Sequence, residues 1–226
     1  MEPIELPETV PVMTLPETVF FPQSLLPLRI FEPRYRAMLR HVLATNRLFA
    51  IAHLDTARST EPDAIEPPHR IASIGIVRAC QEADDGTSNL LLQGICRVEI
   101  REIVRERPYR VIAVRPLASV HGGNHTQLEI MRLEVLRLLQ LRRRLGTPAP
   151  KGMTQFLEGI EDFDAFADIA VFNLCDNLAL KQRLLEELDT RQRLKLFAAQ
   201  LKLDIEQQRL RRKLQGHLPD DGIANN

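Results

Sequence analysis

The chain has no tryptophan, only five lysines and three cysteines, and no apolar run near the roughly 18 residues a membrane span needs. Each shortage excludes something. A P-loop requires Gly-Lys-Ser/Thr, because glycine lets the backbone wrap the phosphates that lysine reaches, yet none of Lys151, Lys181, Lys195, Lys202 and Lys213 follows a glycine. No Walker-type ATPase is encoded in these residues. Cys80, Cys96 and Cys175 form no C-x-x-C pair, and an odd count suits no disulfide framework. A hairpin centred on Asp85-Gly86 sets Cys80 opposite residue 91, with Cys96 about 17 Å further along the ladder, beyond the about 7 Å reach of a disulfide. His121 and His125 flank Gly122-Gly123 with no acidic or cysteine partner nearby, so no metal site is expected. No serine lies in a Gly-x-Ser-x-Gly elbow. Catalytic, cofactor-binding and metal-binding residues are therefore expected to be none.

Charge of one sign is also missing. Thirty basic and thirty acidic residues cancel, which argues against a dedicated nucleic-acid binder. Glu2, Glu5 and Glu8 stand where a secretory leader would be basic, so no leader and a reducing, cytoplasmic home are expected. The balance is uneven along the chain: residues 151–189 hold 3 basic and 9 acidic groups, residues 190–217 hold 8 and 2.

What is present is 226 residues with 44% hydrophobic content, enough for one large domain or a domain with a helical appendage. Two textures meet near residue 120. Before it, Val- and Ile-rich runs bounded by turn residues predict strands near 10–15, 24–30, 47–54, 71–80, 88–93, 95–104 and 109–115. Asp84-Asp85-Gly86 suits a hairpin turn. Tyr35, Met38, Leu39, Val42 and Leu43 follow helical spacing behind Pro33, a good first-turn residue. Residues 55–70, with Pro62, Pro67 and Pro68, read as an exposed loop. Many short strands with one or two helices suggest a small barrel or folded-over sheet.

After residue 120 leucine-rich helices are expected. Thr126 to Glu129 fits a capping box for a helix ending near Leu145. Further helices are expected from Asp162 or Asp164 to about Leu178, over 181–188, and from Thr190 to Gln215. In the last, only Leu210 and Leu214 continue the apolar stripe beyond Glu206, so its far end should protrude or meet a partner. The expected organisation is a β-rich domain over 1–120, a helical bundle over 121–218 and a disordered tail over 219–226. Ser119–Asn124 is expected to be the junction.

One set of motifs stands out: Phe20-Phe21-Pro22, the run Pro27 to Tyr35 (Pro-Leu-Arg-Ile-Phe-Glu-Pro-Arg-Tyr), Ile74-Gly75, then Gly94-Ile95-Cys96-Arg97 and Pro108-Tyr109. In this order they resemble the N-terminal substrate-binding domain of the ATP-dependent Lon protease family, especially its stand-alone bacterial members. Lys181 to Glu186 and Arg193-Leu194 are similar to the bundle that follows it. The resemblance implies an α+β fold, a PUA-like pseudo-barrel followed by an all-α bundle with a long C-terminal helix. It also implies a module that holds unfolded or extended polypeptide, or a protein partner, and does not cut it. The family's ATPase and protease modules find no counterpart, so an enzyme is not expected. Assistance to proteolysis or protein quality control, and a homo-oligomer, fit the same resemblance.

The residues themselves give a plainer reading for most of the block. Pro27, Phe31, Pro33, Tyr35, Gly75, Gly94 and Arg97 are expected to be structural, Arg97 as a clasp on loop carbonyls and Tyr35 as core. Phe20 and Phe21 are adjacent, so in an extended segment their rings point to opposite faces, one in the core and the other exposed or covered by the helical part. With Leu25, Leu26 and Leu28 they form the candidate polypeptide contact. RNA binding, which PUA-type barrels also perform, is the competing function; it demands a basic face with stacking aromatics, and residues 1–127 hold 14 basic against 15 acidic groups.

Overall fold

A computed structural model describes residues 5–60, 66–146 and 150–215. The tail expected at 219–226 lies outside them. Six strands come first: β1 (Thr9–Leu15), β2 (Leu25–Ile30), β3 (Leu48–His53), β4 (Ile71–Glu82), β5 (Ser88–Arg105) and β6 (Val111–Leu117), with helix α1 (Pro33–Leu43) between β2 and β3. Five helices follow: α2 (His125–Arg144), α3 (Met153–Glu158), α4 (Phe163–Leu174), α5 (Leu178–Glu186) and α6 (Thr190–Gln215).

The sheet order is β2-β5-β4-β3-β1-β6, and β6 pairs again with β5, so five strands close into a barrel while β2 hangs on the first half of β5. Only β1 and β3 are parallel. Alternation along the strands builds two cores. Val10, Val12, Leu48, Ala50, Ala52, Ala72, Ile74, Val98, Ile100 and Ile112 fill the barrel, with alanines where the narrow lumen leaves room for little else. Their neighbours Met13, Phe49, Ile51, Val77, Leu90 and Leu92 face the other way and pack under Tyr35, Met38, Leu39 and Val42 of α1. β3 is thus buried on both faces, which explains its unbroken apolar run.

The expected break between strands 88–93 and 95–104 is absent. β5 runs 18 residues through Gly94, with register shifts on its partner β4 beside Gly75 and Ala79. A glycine here permits a close crossing of another backbone and does not stop the strand. The hairpin turn, pairing Glu82 with Ser88, sets Cys80 opposite Leu90, not residue 91, and the two shifts cancel to leave Cys96 opposite Ile74. All three cysteines are free thiols.

The bundle shows three more differences. The box that caps α2 is Asn124 with Gln127: Asn124 Oδ1 accepts from the Gln127 amide at 2.9 Å and Gln127 Oε1 accepts from the Asn124 amide at 3.3 Å. Asparagine supplied the cap two residues ahead of Thr126. The helix expected to reach Leu178 ends at Leu174, because Asn177 caps a new helix by accepting from the Leu180 amide. α3 spans residues 153–158, where no helix was expected. α2 and α6 run side by side in one direction, pinned by Lys202 to Glu134 (3.0 Å) and by Gln208 donating to the Leu145 carbonyl (3.2 Å).

Candidate functional site

Barrel and bundle meet over a buried polar network. Arg97 on β5 and Arg193 on α6 are 2% and 0% exposed, so every guanidinium donor needs a protein partner. The Arg97 fork grips the Asp168 carboxylate of α4 at 2.7 and 2.5 Å, and its Nε donates to the Leu185 carbonyl at 2.9 Å. Arg193 donates to Asp168 (2.8 Å), Asp164 (2.7 Å), the Glu187 carbonyl (3.1 Å) and Ser119 Oγ (3.2 Å). Two cations and two carboxylates cancel, both arginines and Asp168 being sealed from solvent and Asp164 partly open to it. Burial opposes ionisation of Asp164, but Arg193, Ser119 and Thr190 together hold its carboxyl below the ordinary range. The chain from Ala118 to Asn124 is stitched to the α5–α6 turn, Val120 donating to Leu188 O and accepting from Thr190 N.

The motif glycines serve the segment Phe20-Phe21-Pro22, which crosses the sheet at Gly75 and Gly94. A Cβ on Gly94 would run into the Phe21 carbonyl and the Pro22 Cα, whereas one on Gly75 would meet only the side chains of Leu92 and Phe20. Ser73 Oγ donates to the Phe20 carbonyl at 2.7 Å, and the Gly94 amide to the Ser24 carbonyl at 2.9 Å. The two rings do point opposite ways. Phe20 (1% exposed) packs under α1 with its edge on Phe172, and Phe21 (0%) enters the bundle core beside Val19. Both are covered, so the outward member of the pair is sealed by the helices and presents no free surface. Phe21 also lies under the Arg97 guanidinium at 5.8 Å.

β2 is different. It is an edge strand with one paired side, which is why it tolerates Pro27 in mid-strand. Leu26, Leu28 and Ile30 turn toward the α1 core; Leu25, Pro27 and Arg29 turn outward, and Leu25 is 51% exposed. Phe31, expected to be structural, is 62% exposed just beyond the strand. Of the expected contact residues, then, Leu25 is open, Leu26 and Leu28 are half-buried core, and the phenylalanines are interior. Pro33 opens α1, Tyr35 is buried beneath it with its hydroxyl group pushed up in pKa by burial, and Arg34 stacks on its ring at 4.5 Å. A second exposed apolar line, Leu203, Leu210 and Leu214, runs along the outer part of α6.

Sequence reasoning missed Asp168 as the partner of Arg97, and Arg193 with Asp164 as the other half of the network. The signal was legible: two aspartates four apart on an otherwise apolar helix, and an arginine inside the apolar stripe of α6. Among the described residues no group of three or more His, Cys, Asp or Glu side chains is placed to share a metal ion, and no helix is long and apolar enough to cross a membrane.

A closed barrel with a dangling edge strand is clasped by buried charges to a helical bundle. The model of the ATP-dependent protease La (LON) substrate-binding domain matches residues 9–202, and the chain belongs to that family. It is 26% identical over 220 residues to the Lon protease of Desulfosudis oleivorans, covering 96% of this chain and 26% of that protein. It is likewise 26% identical over 218 residues to that of Dictyoglomus thermophilum, covering 96% and 27%. The chain thus spans about a quarter of the length of these curated relatives. Among solved structures it resembles the N-terminal domain of Mycobacterium avium complex Lon protease, with TM-score 0.65, 17% identity and coverage of 86% and 98%. The Lon N-terminal domain protein from Xanthomonas campestris gives TM-score 0.62, 18% identity and coverage of 84% and 97%. The matched region is the substrate-binding domain, which is not the catalytic part of these proteases.

Proposed function

We propose that this chain holds extended or unfolded polypeptide without cleaving it, in the service of proteolysis or protein quality control, and that the free edge of β2 is where the polypeptide docks. The observation that carries the reading is the unpaired side of β2 flanked by Leu25 and Phe31, the two exposed large apolar side chains of that edge. An added strand gains main-chain hydrogen bonds whatever its sequence, and alternate apolar side chains add affinity. Pro27 removes one donor from the strand, which discourages two copies from zipping together while leaving room for a ligand.

The test is fluorescence polarisation with a labelled, reduced, unfolded protein as probe. Leu25→Ser and Phe31→Ser should each weaken binding several-fold with little change in melting temperature. Phe20→Ser and Phe21→Ser, which empty the core, should each cost about 3–5 kcal/mol of stability. Unchanged binding in both surface variants overturns the β2 assignment. Single-stranded RNA bound as tightly as the unfolded protein, and lost in Phe31→Ser, would favour the nucleic-acid reading instead.

A further inference from the structure

We propose that the outer face of the β2–β5–β4 sheet selects extended segments that carry an acidic residue opposite Arg29, with apolar residues at two-residue spacing opposite Pro27 and Leu25. This rests on the strand-addition reading above and says which polypeptides that site prefers.

The register of the three strands sets the residues of that face in rows, with Ile76 at the inner end packing on the barrel core. Leu25 lies beside Gln93 and Ile76, Pro27 beside Leu91 and Ala79, and Arg29 beside Asn89 and Gln81. None of these nine positions is acidic. Two rows are largely apolar, and the third is led by a cation. Arg29 is exposed and takes part in no ion pair or hydrogen bond among the described residues. Asp85, whose carboxylate feels its charge, already accepts from the amide and hydroxyl of Thr87 at 2.8 and 2.7 Å. Arg78, the extra residue at the β4 bulge, adds a second positive charge to this face and bonds only to the neutral Gln93, at 2.6 Å.

The arrangement answers a problem that strand addition creates. Main-chain bonds do not fix register, and a slip of one residue turns every ligand side chain to the wrong face. Pro27 weakens the ladder further by removing a donor. Something on the surface must set the phase. A cation at one end of a short apolar row does so, because a directly opposed side chain lies about 4.5–5.5 Å away, close enough for an opposite charge to matter and a like charge to repel. Period-two spacing then brings the ligand's apolar residues onto Pro27 and Leu25.

The experiment uses the full chain and three labelled synthetic peptides, each an alternating valine–threonine strand with Glu, Gln or Lys at one central position. On the wild-type protein the Glu peptide should bind about two- to five-fold more tightly than the Gln peptide, and the Lys peptide most weakly, with the spread shrinking at high salt. Arg29→Glu should invert the order. Leu25→Ser should weaken all three alike. Equal affinities on the wild type, or an order unchanged in Arg29→Glu while Leu25→Ser still weakens binding, overturn the acidic preference and leave strand addition standing. No binding of any peptide, with unfolded protein still held in a manner insensitive to Leu25→Ser, overturns both.

Discussion

Asp168→Asn removes one negative charge from a site where Arg97 and Arg193 are 2% and 0% exposed. Four charges that cancel become three that do not, and the surplus positive charge cannot reach water. Breaking one partner of such a buried set typically costs about 3–5 kcal/mol. At about 2–4 °C per kcal/mol for a chain of this size, the melting temperature should fall by about 6–20 °C. Arg97→Met should cost a similar amount, now through a surplus negative charge. The double variant Arg97→Met, Asp168→Asn leaves Arg193 paired with Asp164, and charge balance returns. Its loss should therefore be well below the sum of the two single losses, a coupling of at least about 1 kcal/mol. The molecule supplies its own probes. Both tyrosines, Tyr35 and Tyr109, sit in the core between the sheet and α1, and there is no tryptophan, so tyrosine fluorescence follows the β-rich part. Far-ultraviolet circular dichroism follows chiefly the helices of the bundle. The two transitions should coincide in the wild type, because Val19 and Phe21 of the barrel segment belong to the bundle core. A loss under about 1 kcal/mol in Asp168→Asn, or additive losses in the double variant, would refute the reasoning.

Two further outcomes follow from single contacts. Gly94→Ala should destabilise clearly more than Gly75→Ala in urea unfolding, because the first methyl meets the backbone of Phe21 and Pro22 and the second meets side chains that can turn aside. Glu134 is held at about 2 by Arg137 and Lys202, against 4.5 ordinarily. A depressed carboxyl stabilises above the unfolded value and loses that contribution as the pH falls toward the folded one. Glu134→Gln should thus cost under about 1 kcal/mol at neutral pH, the pair being solvent-screened, and the difference in melting temperature should shrink between about pH 4.5 and 2.

Much of the fold was legible because burial writes a period into the sequence. α1 reads directly from Tyr35, Met38, Leu39 and Val42, all buried, with Arg36 and Arg40 on the wetter side. The opposite pointing of Phe20 and Phe21 was legible too, since adjacent residues in an extended segment must diverge. What lay above that segment was not, because the covering helices come more than a hundred residues later and leave no local trace. Gly94 misled for a related reason: a glycine inside a strand marks either an end or a crossing, and only the position of Phe21 decides. The caps at Asn124 and Asn177 were hidden by neighbours of equal capping propensity. Of the candidate site, Leu25 was legible as part of an apolar approach to Pro27. Phe31 was not, since a phenylalanine beside core residues is ordinarily core itself.

Arg97 has a consequence for the chain as it leaves the ribosome. β1 waits for β6 before the barrel can close, since Thr9 pairs with Ala113. Even then Arg97 would sit with its charge unanswered, because Asp168 lies 71 residues further on. A nascent chain that stops after β6 holds a nearly sealed barrel with an orphan cation and a bare Phe21, and contacts so distant in sequence form slowly. Maturation must therefore proceed backwards in space, the later helices supplying the counter-charge and the cover for the barrel residues made before them.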